Sequence, residues 1–464
     1  MLKELRYSHS LTIKELSESI AIDARRIKLI ERGLDSPTEK EIKAITDFFS
    51  IEEGKIKNNS ASIDENIIGE GYVTAVNKDY NVHFPRDSRS ENKIRVLDLF
   101  SGIGGLSYGF EQTEQFTTVG GLDLLKDRVN TFQLNHTHAF GFSFDINSIE
   151  PSLLSSFLGA NPDVIVGGAP CQGFSSIRPF RSISENDLRN NLYKSFALYL
   201  DYFKPTWFVF ENVVGLLTHK NGDSLKTLIH EFNVIGYKVD FRVLNAAYYG
   251  APQLRERLIL VGNRLNIDFE WPVPTHYYEY KSMAGKDNSY VLKPQSKMEC
   301  IPATTITEAI SDLPPLESGQ KKTKYINNNE LTEYQEYLRK NSTTLKNHDC
   351  TSHSPEMLNI IRHSGYNIDA VRHLVTSGFS TCYSRLEANK PSVTLTVNFV
   401  NPSSNKCIHP YQNRALTPRE GARIQGFPDR FRFSGTRTQI VKQIGNAVPP
   451  VLSKVIAASI FRHY

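Results

Sequence analysis

The chain has 464 residues, 39% hydrophobic and 22% charged, with 54 lysines and arginines against 50 aspartates and glutamates, a formal charge of +4. That length allows two or three domains around a large buried core. The mild positive charge permits nucleic-acid binding through local patches without announcing it. No window approaches about 18 consecutive apolar residues, which excludes an ordinary membrane span, and the N-terminus MLKELRYSHS has no apolar signal core. The five cysteines (171, 300, 350, 382, 407) lie far apart with no CxxC pair. They match neither a zinc cluster nor a disulfide framework, so no metal is expected and a reducing, cytoplasmic location is.

Residues 1–57 are predicted to be helical. In TIKELSESI (12–20), Ile13, Leu16 and Ile20 fall on one helix face, and Thr12 with Glu15 forms a capping-box pattern. A short turn around Ile22–Asp23 leads to a second helix carrying Ile27 and Ile30 and stopped by Gly33. Pro37 and Thr38 open a third, running through Phe48 and Phe49. Helix, short turn and helix in a small bundle is the geometry of a helix-turn-helix reader. The run ELSESIAID…IKLIERG…P resembles the repressor-like helix-turn-helix family. That likeness implies that Ala24, Arg25, Arg26 and Lys28 face the DNA major groove or its phosphates, and that the module can dimerise. Charges across 1–57 roughly cancel, so a bundle used only for packing or dimerisation stays open.

Residues 58–92 are polar and read as a linker. From Ile94 to about Gly262, strands alternate with amphipathic stretches, the pattern of a wound α/β domain. Residues 263–390 lose that rhythm and are rich in Tyr, Asn, Lys, Ser and Pro; ordered patterning returns after Pro391. An irregular polar insert between two halves of a core usually carries recognition.

Three strand-like runs end in residues that carry chemistry. IRVLDLFSGIGG (94–105) ends in Gly102, Gly104 and Gly105, which let a ligand approach the backbone. About twenty residues on, Asp123 closes the next strand, where a carboxylate reaches a ribose diol; a helix cap is the alternative. No GKS or GKT follows, so a phosphate-gripping loop is disfavoured and S-adenosylmethionine is the preferred nucleoside cofactor. DVIVGGAPCQGFS (163–175) places Cys171 at a strand's carboxyl end. There it is either an exposed nucleophile or an inert buried thiol. TWFVFENV (206–213) ends in Glu211, whose apolar strand favours a proton-holding carboxyl, unless an arginine pairs with it. In QLRERLILVG (253–262), Arg255 and Arg257 alternate. A Gly–Ala–Pro turn joins this run to KVDFRVL (238–244), which favours an antiparallel pair returning both arginines to the same rim.

With these residues in view, the chain resembles the DNA (cytosine-5)-methyltransferases over roughly 94–464 apart from the insert. It carries in order DLFSGIGG, GGAPCQGFS, ENV, QLRERLILVG, RALTPREGARIQGFPD and QIGNAVPP. The resemblance implies a Rossmann-like α/β catalytic domain over 93–263, completed by 414–464. A smaller irregular target-recognition domain over 264–413 and the N-terminal all-α module would accompany it. It assigns S-adenosylmethionine to Phe100, Gly102, Ile103, Gly104, Gly105, Asp123, Asp145, Ile146, Leu192 and Asn446. Asp123 stands where the family usually has glutamate. Cys171 becomes the nucleophile, Glu211 the acid, and Arg257 the partner of the ring oxygen, with Arg255 beside it. Ser175, Ile177, Arg178 and Arg181 would close on double-stranded DNA. Thr394 and Thr396, in KPSVTLTVNFVNPSS (390–404), would contact backbone or bases, and RALTPREGARIQGFPD would support the recognition domain structurally. A cognate restriction endonuclease is the expected functional partner. A DNA-binding regulator with a silent methyltransferase fold, and an RNA methyltransferase, remain alternatives.

Overall fold

The computed structural model describes residues 2, 6, 11–31, 37–49, 82–88, 92–169, 192–284, 289–326 and 330–464. Cys171, Ser175, Ile177, Arg178 and Arg181 lie outside the described residues, as do the side chains of Arg25 and Lys28.

The N-terminal segment holds helices Ile13–Ile20, Ala24–Glu31 and Glu39–Phe49. Thr12 and Glu15 cap the first reciprocally, and Ala21 ends it in the left-handed region (φ 49°). Leu16, Ile20, Ile27, Ile45 and Phe49 bury together with Ile13 and Ile30 packed against them, which bears out the spacing read in the first two helices, whereas Phe48 of the third is exposed. Arg26, expected against DNA, has a partner within the bundle. Its guanidinium grips Glu41 on the third helix, Nε to Oε1 at 2.7 Å and Nη2 to Oε2 at 3.0 Å. The Arg–carboxylate fork makes Arg26 a strut between helices.

Among the described residues eight strands form one sheet: β1 (Val82–His83), β2 (Ile94–Leu99), β3 (Phe116–Asp123), β4 (Phe140–Ser143), β5 (Val164–Gly167), β6 (Trp207–Asn212), β7 (Lys238–Asn245) and β8 (Glu256–Asn263). Their order is β1-β4-β3-β2-β5-β6-β8-β7. The run from β4 to β6 is parallel, whereas β1, β8 and β7 each pair antiparallel with their neighbour. Chain order reverses between β2 and β5, and open α/β sheets bind ligands at such a switch point. The expected antiparallel pairing of 238–244 with the arginine-bearing strand is present, with Leu244 opposite Arg257.

Two boundaries differ from expectation. The segment read as linker up to residue 92 supplies the edge strand β1. Val82 is fully buried there and Phe84 packs edge-on against Phe140 and Phe157. Two apolar residues in a polar stretch were enough to dock it. The insert also has no packing boundary at 413/414. Ile306, Ile310 and Leu395 share one apolar core with Leu416, Ile424, Phe427 and Ile444. Within it Arg414, Arg419 and Arg423 are fully buried, and Arg423 holds both Asp312 and Asp429. RALTPREGARIQGFPD therefore packs the insert against the rest of the chain, the structural place expected of it. Helix Pro450–Phe461 covers the sheet by packing on helix Gly105–Glu111. A side chain at Gly109 would strike the Pro450 carbonyl at 2.2 Å.

Candidate active site

The rim of the sheet is built by register. Leu99 of β2 pairs with Gly167 of β5, and Gly167 pairs with Phe210 of β6. The glycine turn, Gly168 and Glu211 thus stand at the ends of three adjacent strands. Gly167 must be glycine, because a Cβ there would meet the Leu99 carbonyl at 2.4 Å. At Gly168 the obstacle is Glu211 itself, whose Oε2 lies 2.8 Å from a Cβ position.

Glu211 is nearly buried and ion-paired, its Oε1 2.7 Å from Arg257 Nε. The arginine pairing held open as the alternative for this carboxyl is thus the one present. Arg257 also donates from Nη1 to the Glu256 carbonyl at 2.7 Å, which fixes the guanidinium plane. Burial lowers its pKa, and Glu211 opposes that shift. Arg255 is placed otherwise. It precedes β8, is buried, and donates from Nη1 to Leu395 O and from Nη2 to Gly445 O, both at 3.1 Å. Burial, then the neighbouring Arg257 charge, hold its pKa well below the usual range. Its contacts join the rim to the segment around Leu395 and to the helix Arg437–Asn446. Glu256, between the two arginines, instead accepts from Tyr280 Oη and Met283 N.

At the β2 turn, Phe100 adopts φ 61°, an uncommon conformation for a non-glycine residue. Of the three glycines only Gly102 (φ 54°) faces open space. A Cβ on Gly104 would meet His136 at 2.5 Å, and one on Gly105 the Val448 carbonyl at 2.4 Å. The first glycine leaves room for a ligand; the other two serve packing. Ile103 is buried in the core shared with the recognition segment. Asp123 accepts from Gly102 N (3.0 Å) and Leu125 N (2.8 Å), so strand end and turn are locked together. Burial raises its pKa, against the nearby Arg128.

Asp145 caps the turn Ile146–Ser148 through Asn147 N at 3.0 Å, and Ile146 is buried. Ser195 donates to Asn147 Oδ1 at 2.6 Å, which brings the start of helix Leu192–Phe203, with Leu192, beside that turn. Asn446 is exposed at the end of its helix, two residues before the Val448 that abuts Gly105. Phe100, Gly102 and Asp123 thus share one rim, flanked by the Asp145 turn and Asn446. Thr394 donates to the Leu254 carbonyl at 2.7 Å and Thr396 to Asn405 Oδ1 at 2.6 Å. Both hydroxyls therefore hold the segment 390–405 in place.

Asp98 was missed, although a lone acid between Leu97 and Leu99 in an apolar strand was the signal. It is fully buried; Oδ2 accepts from Ser107 Oγ at 2.7 Å, and Oδ1 has no partner. Burial, with the Asp123 charge added, pushes its pKa up to about 7. Ser101 Oγ, one residue before Gly102, is likewise buried without a partner. Orphaned polar atoms beside a glycine with open space fit a polar nucleoside cofactor. Among the described residues no group of His, Cys, Asp and Glu could hold a metal.

The signature of the C-5 cytosine-specific DNA methylases matches residues 94–462. The Type II methyltransferase M1.HphI of Haemophilus parahaemolyticus is 32% identical over 374 residues, covering 80% of this chain and 87% of the relative. The Type II methyltransferase M.DdeI of Desulfomicrobium norvegicum is 32% identical over 393 residues, covering 79% and 88%. Among solved structures, a candidate DNA modification methyltransferase encoded within an E. coli prophage superposes with a TM-score of 0.62 at 25% identity. It covers 80% of this chain and 99% of that one. The N-terminal helices lie outside the family match. From Ile94 onward the chain belongs to the C-5 cytosine-specific DNA methylases, enzymes that take their methyl group from S-adenosylmethionine.

Proposed function

We propose that this chain methylates carbon 5 of a cytosine swung out of double-stranded DNA, with Cys171, Glu211 and Arg257 as the reacting constellation. The observation that carries the reading is the Glu211–Arg257 pair, held over Gly168 three residues before Cys171. The Cys171 thiolate adds to carbon 6, which makes carbon 5 an enamine carbon able to accept a methyl group. Glu211 faces the N3 and amino edge, and Arg257 faces O2. Both meet charge that develops only as the ring is attacked, where fixed partners act most strongly. Carbon 5 then loses its proton to water and the thiol is eliminated.

The methyl donor supplies an electrophilic carbon on a sulfonium. Asp123 and the open face at Gly102 would hold its nucleoside, with Phe100, Ile103, Gly104, Gly105, Asp145, Ile146, Leu192 and Asn446 around them. Ser175, Ile177, Arg178 and Arg181 would close on the duplex, an extrusion that costs a few kcal/mol. Residues 264–413 would read the site.

In this reading the enzyme is the modification half of a restriction–modification pair in the prokaryotic cytoplasm. Its N-terminal module would bind DNA, in support of which two short helices meet across three residues, Ala21–Asp23. Labelled methyl transfer into DNA, bisulfite mapping of the product and its loss in Cys171→Ala test the enzyme. Gel shifts with upstream DNA, with and without residues 1–57, test the module.

A further inference from the structure

Two glutamines join parts of the chain that lie far apart in sequence. Gln253 precedes Arg255 by two residues, Gln425 follows the helix Pro418–Ile424, and both are fully buried. Gln253 Nε2 donates to Gln425 Oε1 at 2.6 Å and to the Ile424 carbonyl at 3.3 Å, while its Oε1 accepts from Leu395 N at 2.8 Å. Gln425 Nε2 donates in turn to the Ile444 carbonyl at 2.6 Å and to that of Ala447 at 3.3 Å. A backbone donor at one end and backbone acceptors at the other permit only this orientation of both amides. One directed line of hydrogen bonds thus runs from Leu395 to the end of the helix Arg437–Asn446. Away from water, the bonds of such a line polarise one another.

Helices commonly stop on a glycine in the left-handed region, which turns the chain and covers the last carbonyls. This helix does not. Its cap, Ala447, is extended (φ −62°, ψ 147°). The oxygens at this end are met by side chains from elsewhere, Ile444 O and Ala447 O by Gln425 and Gly445 O by Arg255. Between those held carbonyls stands Asn446, exposed, and two residues on Val448 abuts Gly105 of the glycine turn. Buried amides ordinarily serve to satisfy one another within a core. Here the pair grips the backbone on both sides of one surface residue beside the glycine turn, at a helix end with no glycine stop of its own.

We propose that Gln425 is a positioning residue for S-adenosylmethionine: with Gln253 behind it, it sets the backbone from which Asn446 reaches the cofactor. The inference rests on the reading of Asn446 as a cofactor residue, and its test separates the two. The full chain and its Q425M, Q253M, N446A and Q425M/N446A variants are titrated with S-adenosylmethionine to saturation, and the KM values for cofactor and for DNA are measured on each. Methionine keeps the length of glutamine and removes its hydrogen bonds, so the core stays filled. Melting curves establish that each variant is folded at the titration temperature.

Q425M is expected to raise the Kd for S-adenosylmethionine about tenfold, the scale of one lost buried hydrogen bond. Its cofactor KM should rise by the same factor, with the KM for DNA little changed. Q253M should show a smaller loss in the same direction. N446A should also weaken the cofactor, and adding Q425M to it should weaken binding no further, because the glutamine acts through the asparagine. Q425M binding cofactor like the wild type, or weakening the N446A chain as much as it weakens the wild type, overturns the positioning role and leaves a core contact. Should Q425M fail to fold, Q253M combined with N446A carries the same comparison. N446A binding S-adenosylmethionine like the wild type removes the reading beneath the proposal.

Discussion

The carboxylate of Glu211 occupies the space that a side chain on Gly168 would need: its Oε2 lies 2.8 Å from that Cβ position. The obstacle is the free end of a side chain, so an added methyl displaces Glu211 at little cost to the fold. The displacement breaks the alignment with Arg257. Misplacing a reacting group by about 1 Å can cost on the order of 100-fold in rate. Gly168→Ala should therefore unfold near the wild-type temperature yet lose about two orders of magnitude in kcat. Gly167→Ala should do the reverse. Its Cβ would meet the Leu99 backbone carbonyl at 2.4 Å, which cannot swing away, so lower thermal stability is its first symptom. Melting curves and methyl-transfer rates on the two variants decide the matter, and equal losses of stability would contradict it.

The Glu211–Arg257 pair is 12% exposed on each side, so removing one partner strands the other in a poorly solvated place. Arg257→Met should cost about 3 kcal/mol of stability, since a deserted charge loses its counter-ion but keeps its desolvation penalty. Glu211→Gln in the same background should recover part of that loss, a coupling that urea unfolding of the four proteins measures. Additive effects would mean that the two side chains do not depend on each other.

Much of this rim was legible because strand ends carry their chemistry in short motifs. DLFSGIGG, GGAPCQ and ENV each fall at the end of a parallel strand, and the register of Leu99, Gly167 and Phe210 sets those ends side by side. Side-chain partners were less legible, because nothing local encodes them. Arg26 read as a groove contact, and Glu41, fifteen residues on, holds two of its three nitrogens. Thr394 and Thr396 read as substrate contacts, but their hydroxyls hold Leu254 and Asn405. Val82 passed for linker because a two-residue edge strand has no period to read. The insert looked separable because its shared core with 414–447 pairs residues a hundred positions apart.

Asp98 gives stability a pH dependence of unusual sign. Its folded pKa is raised to about 7, chiefly by burial and then by the Asp123 charge, against about 3.9 for a free aspartate. Between those values the folded state binds the extra proton. Asp98 therefore favours folding at low pH, and that contribution fades as pH rises from about 4 to about 7, by at most about 1.4 kcal/mol per pH unit. Asp98→Asn removes the titration and keeps the shape. The stability of the asparagine variant relative to wild type should grow from pH 5 to pH 8 in urea unfolding. A constant difference would show that the carboxyl ionises equally well in both states.

Arg255 and Arg257 lie two positions apart, yet the structure gives them separate work. Arg257 meets Glu211, whereas Arg255 spans the carbonyls of Leu395 and Gly445 with two nitrogens. Gly445 is itself pressed against the recognition segment, since a Cβ there would sit 2.3 Å from Thr396 O. One guanidinium thus holds the rim, the segment around Leu395 and the helix Arg437–Asn446 together. A lysine keeps the charge, but its compact ammonium lacks the planar fork that reaches both oxygens at once. Arg255→Lys should lose one buried hydrogen bond and leave a carbonyl unsatisfied, about 2 kcal/mol in all. The KM for DNA should rise with that loosening, with kcat falling less. Arg257→Lys should keep most of its stability and lose kcat by about 100-fold, the scale of one missing charge-stabilising donor. Should Arg255→Lys prove as stable as wild type and as slow as Arg257→Lys, Arg255 would belong with the reacting groups and not with the frame that positions them.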